Sequence, residues 1–277
     1  MSSDKPQVIE YLFDSHWDTE KRALRKSIMS LTDVSKAIRV CNEKDGRERS
    51  DRNPANFLKD VVRNTSANKI WPARIAALGF TGVQRTGRGD SFEFVPYKTG
   101  QVEPFPDFFR HSAGTRAVDV ETLSIPVASK LLGRRDEAWL VQTAVKLRLV
   151  EQLLAIESSL RVTEVTHLQM SVKLRSTEID SLYLLGMEGE ELVLATCEAK
   201  LDKQRLLPDQ IVAQVKAAFE ATEATLVVPM AMRSVPALGV HVMHFDPVKR
   251  ADASEFSELS LAHEILCRLK PGVKGIC

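Results

Sequence analysis

TEIDSLYLLGMEGEELVLATCEAK (residues 177–200) puts charges of both signs at the ends of apolar runs. Two such runs flanking MEGEE read as strands joined by a tight turn. Side chains alternate along a strand, so Glu178, Asp180 and Leu182 share a face on the first, and Leu194, Thr196, Glu198 and Lys200 share one on the second. Antiparallel pairing around the turn would bring Asp180 near Glu198, both at the same open end. Two carboxylates there repel unless a cation lies between them. Oxygen donors with room for water suit Mg²⁺, with Mn²⁺ as a substitute. Lys200 adds a positive charge beside a metal-bound water or a developing phosphorane. Together these are the parts of metal-assisted phosphodiester hydrolysis. The plainer alternative for Glu198 and Lys200 is an exposed edge-strand ion pair, which contributes little. The strand is otherwise apolar on both faces, however, and reads as a central one, where charges are costly.

The pattern extends outward from this hairpin. Upstream, PVASKLLGRRDEAWLVQTAVKLRLVEQLLAIESSL reads as amphipathic helix, followed by a strand in RVTEVTHLQMSVKLRS. Downstream come a helix in PDQIVAQVKAAFEAT, strands in TLVVPMAMR and GVHVMHFDPV, and a closing helix near SEFSELSLAHEILCRLK. Helix, three strands, helix, two strands, helix predicts a mixed α/β (α+β) sheet covered by helices.

EID, an apolar strand and then CEAK resembles the signature of the PD-(D/E)xK nucleases, as found in type II restriction endonucleases. The resemblance covers roughly residues 130–250. It implies a restriction-endonuclease-like mixed sheet and matches Asp180 to the first acidic position and Glu198 and Lys200 to the (D/E)xK pair. Gln210 and Gln214, one turn apart on the next helix, resemble the QxxxQ feature of part of that superfamily. The family usually has proline before the aspartate; Ile179 stands there instead. By family analogy the Ala199 carbonyl is a third metal ligand and Glu178 an auxiliary one. A further glutamate on the preceding helix would be Glu151 or Glu157. The implied activity is Mg²⁺-dependent cleavage of double-stranded DNA at a specific site, unmodified or cytosine-methylated, in a prokaryotic cytoplasm. Cutting both strands of a symmetric site is simplest for a homodimer.

The N-terminal part reads differently. Residues 18–41, DTEKRALRKSIMSLTDVSKAIRVC, carry Leu24, Ile28, Leu31, Val34 and Ile38 near helical spacing. Asn53 with Pro54 can begin a helix, and Ser66 or Asn68 another that ends at Gly79, with Pro72 marking its first turn. FTGVQRTGRGDSFEFVPY reads as a hairpin with Phe92 and Phe94 inward. Short helices followed by a basic hairpin resemble a winged helix. That places Lys69 and Arg74 on or near a recognition helix and Arg85 and Arg88 on a wing. The reading gives a DNA-recognition domain over 1–100, a linker over 101–125 in which Arg110 and His111 could meet a phosphate, and a nuclease domain over 126–277.

Composition excludes other classes. The net charge of +1 provides no global field for polyanions, so DNA would need a local patch. Four dispersed cysteines lack metal-site or disulfide-framework spacing and fit a reducing compartment. No apolar signal core or membrane-spanning stretch is visible. RTGRGD lacks the lysine and flanking elements of a P-loop. His241 and His244, three apart, read as structural. Two rival functions remain: a DNA-binding regulator whose C-terminal domain only dimerises, and a repair or recombination nuclease that recognises DNA structure, branched or single-stranded, rather than sequence.

Overall fold

The computed structural model describes residues 5–62, 64, 66–85, 89–174 and 177–277. The chain divides into two compact units, Met1–Phe108 and Phe109–Cys277.

The first unit runs α1 (Lys5–His16), β1 (Trp17–Asp18), β2 (Ala23–Leu24), β3 (Ile28–Ser30), α2 (Leu31–Asp45), a 3-10 turn at Pro54–Asn56, α3 (Phe57–Val62), α4 (Ala67–Ile70), α5 (Ala73–Ala77), β4 (Phe80–Gln84) and β5 (Asp90–Pro96). Helical spacing over 18–41 overstates the helix, which begins only at Leu31. Ser30 caps it: the Asp33 N–H donates to Ser30 Oγ at 3.1 Å, and the Ser30 N–H donates to Asp33 Oδ2 at 2.8 Å. This reciprocal box fixes the helix start. Ile28 and Met29 pair instead with Glu93 and Phe92 on β5. The helix ends at Gly46, whose left-handed φ of 67° suits glycine. Asn53 makes no side-chain cap, whereas Pro72 does open α5. The expected hairpin is β4–β5, and the small antiparallel sheet has the order β3-β5-β4. Phe92 and Phe94 are fully buried, their rings 5.0 Å apart, in a core shared with Phe13, Leu58 and Trp71.

The second unit contains β6 (Ala117–Glu121), α6 (Val127–Leu132), α7 (Glu137–Lys146), α8 (Leu149–Ile156), β7 (Val162–Leu174), β8 (Thr177–Met187), β9 (Val193–Lys200), α9 (Pro208–Ala221), β10 (Leu226–Val235), β11 (Gly239–Phe245), β12 (Val248–Lys249) and β13 (Leu261–Lys270). Its mixed sheet has the order β6-β13-β11-β10-β9-β8-β7, with β12 beside β10. The helical stretch after Pro126 is three helices, separated at Gly133 and at Arg148, whose φ is 54°. β6 lies inside the stretch read as a connector and pairs parallel with β13.

The closing helix expected near residues 254–270 is instead β13, antiparallel to β11. Leu261, Ile265, Leu266 and Leu269 imitate helical spacing. Strand pairing on both sides prevails because it buries alternate residues Ile265, Cys267 and Leu269 in the main core. That core lies between the sheet and α7–α8. The opposite face of the central strands packs Leu182, Leu194 and Val227 against Val215, Ala218 and Phe219 of α9. The architecture is therefore mixed α+β, with a large mixed sheet between helices.

Candidate active site

Strand register builds the site. Ser181 faces Cys197 across the β8–β9 ladder, so one step further along Asp180 and Glu198 are neighbours. β9 is an interior strand, flanked by β8 and by parallel β10, and every residue from Val193 to Ala199 is buried. Glu198 is only 3% exposed. Burying a carboxylate this deeply requires partners, and two are present. The Lys200 ammonium pairs with Glu198 Oε1, and Gln214 Nε2 donates to Glu198 Oε2. Gln214, itself buried on α9, also donates to the Glu178 carbonyl at 3.1 Å. The Ala199 N–H donates to Asp180 Oδ2 at 2.8 Å. Burial first, and Glu198 second, push the Asp180 carboxyl from its ordinary 3.8 up to about 6. The Ala199 N–H and Lys200 oppose that rise, and Glu137 adds to it.

The structure thus brings Asp180, Glu198, Lys200 and Gln214 together. Ala199 takes part through its N–H, and Glu178 lends its backbone carbonyl. Gln210 is half-buried with no hydrogen-bond partner at its Oε1, and it does not share Gln214's bonds to Glu198. The two upstream glutamates lie elsewhere. Glu157 pairs with Arg116 at 2.7 Å. Glu151 lies on α8, near Tyr183 on the other face of β8, where burial raises its carboxyl pKa. The glutamate whose charge reaches Asp180 is Glu137, the first residue of α7. An acidic residue in a helix's first turn is ordinary dipole matching, so no pattern in the chain singles it out. Gln204 likewise carries no sequence signal; its Nε2 donates to Glu137 Oε1 at 2.5 Å.

His241 and His244, read as satisfied structural histidines, are buried, but His241 Nδ1 and His244 Nε2 have no hydrogen-bond partner among the described residues. His241 Nε2 lies 2.7 Å from Glu264 Oε2, and burial holds the His244 pKa below its ordinary value. The expected DNA contacts are distributed between the units. Lys69 is on α4; Arg74 pairs with Asp14 and lies over the Phe13 ring; Arg85 pairs with Glu93. Arg88 lies outside the described residues. Arg110 and His111 belong to the second unit, where the His111 ring is 6.0 Å from that of His241.

Among the described residues, no three His, Cys, Asp or Glu side chains converge tightly enough to hold a metal ion. Two carboxylates are present, one with a pKa raised first by burial and then by the other, and the Gln214 Oε1 is buried without a partner. This all-oxygen set fits a hard cation that completes its shell with backbone oxygen and water, as Mg²⁺ does. Among the described residues, no helix is long and apolar enough to cross a membrane. Comparison with family models, with curated proteins and with solved structures finds no match.

Proposed function

We propose that the chain is a Mg²⁺-dependent endonuclease of the PD-(D/E)xK, restriction-endonuclease-like kind, hydrolysing double-stranded DNA at a specific site. The observation that carries this reading is Glu198, buried in a central strand between Lys200 and Gln214 with Asp180 beside it. A fold gains little from such a buried ionic group relative to apolar packing, and perturbed carboxylates of this sort mark functional sites.

In this reading Asp180 and Glu198 hold Mg²⁺ or Mn²⁺, with the Ala199 carbonyl and Glu178 as further oxygens. Bound there, the metal polarises the phosphate and acidifies water. Gln214 fixes one oxygen of Glu198 and so sets the orientation of that carboxylate. Lys200 orients the attacking water and offsets the negative charge that grows on the phosphate. The first unit has the chain order helix, three short strands, helices, two strands, and a β3-β5-β4 sheet. These support a winged-helix-like recognition role for Lys69, Arg74, Arg85 and Arg88. A homodimer acting on both strands in a prokaryotic cytoplasm completes the proposal.

The test is digestion of unmethylated and cytosine-methylated plasmid by the purified protein in Mg²⁺, with Lys200→Ala in parallel. Discrete fragments that disappear in the variant are expected, and the plasmid that is cut identifies the target class. Duplex binding without cleavage of either plasmid would leave a DNA-binding regulator as the better reading.

A further inference from the structure

The segment that follows Lys200 is fastened at both ends of its path. The Leu201 N–H donates to Gln204 Oε1 at 2.7 Å, and the Asp202 N–H donates to Ser234 Oγ at 3.0 Å. Gln204 then reaches across to α7, donating from Nε2 to Glu137 Oε1. Its backbone carbonyl accepts from Arg233 Nη2 at 2.9 Å. Arg233 is 3% exposed and also donates from Nη1 to the Phe109 carbonyl at 3.2 Å. It stands beside Lys200 in the parallel β9–β10 register, so the two side chains share a face of the sheet.

We infer that Gln204 and Arg233 are positioning residues, forming a clamp that ties Glu137 at the start of α7 to the backbone that leaves Lys200. The argument is geometric. Gln204 spends its amide oxygen on Leu201, the residue after Lys200, and its amide nitrogen on Glu137. One side chain therefore couples the end of β9 to the start of α7. Arg233 supplies the fixed point, because a buried guanidinium that donates to two backbone carbonyls can neither leave nor rotate without stranding them. Asp136 sets the other side: its carboxylate caps α7, accepting from the Trp139 N–H at 2.8 Å, so Glu137 sits in a defined first turn. The role in catalysis rests on the nuclease reading; the clamp itself does not.

The experiment uses the full chain in four forms: wild type, Gln204→Leu, Arg233→Met and Arg233→Lys. Amide hydrogen exchange at Leu201 is followed in metal-free protein, and plasmid cleavage with duplex Kd in Mg²⁺. Gln204→Leu should exchange at Leu201 at least about ten-fold faster with an unchanged thermal midpoint. It should lose roughly 10–100-fold in kcat with Kd unaltered, the size expected when a supporting contact is removed. Arg233→Met should behave in the same way, and Arg233→Lys, which keeps the charge, should recover part of the loss. If Arg233→Met does not fold, Gln204→Leu carries the test. Unchanged Leu201 exchange in Gln204→Leu overturns the clamp; wild-type kcat in that variant overturns its positioning role. If wild type cuts no DNA, the nuclease reading fails, and exchange at Leu201 alone decides the clamp.

Discussion

Asp180→Asn should stabilise the metal-free protein while abolishing cleavage. In the native state burial and Glu198 raise the Asp180 carboxyl from 3.8 to about 6. A folded-state pKa above the unfolded one means that the folded protein holds this proton more tightly, so ionisation opposes folding. The cost is greatest above pH 6 and disappears as pH falls through the window from about 6 to 3.8. At about 1.4 kcal/mol per pKa unit, the ceiling is about 3 kcal/mol at neutral pH. Asparagine keeps an oxygen for the Ala199 N–H and places a neutral amide beside Glu198, which removes the repulsion. Urea unfolding of wild type and variant in EDTA is the assay. The variant should lead by about 1–3 kcal/mol at pH 8, and the lead should shrink to within about 1 kcal/mol by pH 4. Equal stability at pH 8, or a gap that widens on acidification, would refute the idea that Asp180 is held in an unfavourable ionised state.

The other predictions are simpler to state. Burial keeps His244 neutral and its pKa below 6.5, while the unfolded chain takes up the proton near 6.5, so its contribution to stability is lost as pH falls below about 6.5; His244→Gln should flatten that acid slope in urea titrations. A Cβ at Gly239 would meet the Cys267 carbonyl oxygen at 2.0 Å, so Gly239→Ala should force β11 from β13 and cost about 3 kcal/mol or more in chemical denaturation. Phe94→Ala should cost about 3–5 kcal/mol and unfold the first unit at lower denaturant, read by the fluorescence of Trp71 against which Phe94 packs. Duplex affinity should fall steeply between about 50 and 200 mM salt, because a protein of near-zero net charge must bind through a local patch of phosphate contacts.

How far the sequence discloses this molecule depends on the range of the interactions. The β8–β9 hairpin is legible because its turn is short and its apolar alternation is local. The same alternation places Glu198 and Lys200 together and turns Cys197 and Ala199 toward the main core. Gln214 is reached only through the resemblance to the QxxxQ feature, one turn after Gln210 on the same helix. β13 is not legible, since its identity as a strand depends on pairing with β11 and β6, which are distant in the chain. The start of α2 was within reach through Ser30 and Asp33, whose spacing is that of a capping box. Glu137, Gln204 and Arg233 could not have been found by pattern. They come from three separate elements and are joined only by tertiary hydrogen bonds.

The parallel pairing of β9 with β10 has a consequence for synthesis. Parallel neighbours cannot close as a hairpin and must wait for the crossover between them, here α9. A nascent chain therefore presents Asp180, Glu198 and Lys200 well before Arg233 and Ser234 leave the ribosome to hold the segment after Lys200. Long-range closure of this kind comes late in folding. The backbone after Lys200 gains these two anchors only when β10 has been added, so chains truncated before β10 carry the acidic pair and the lysine without that clamp.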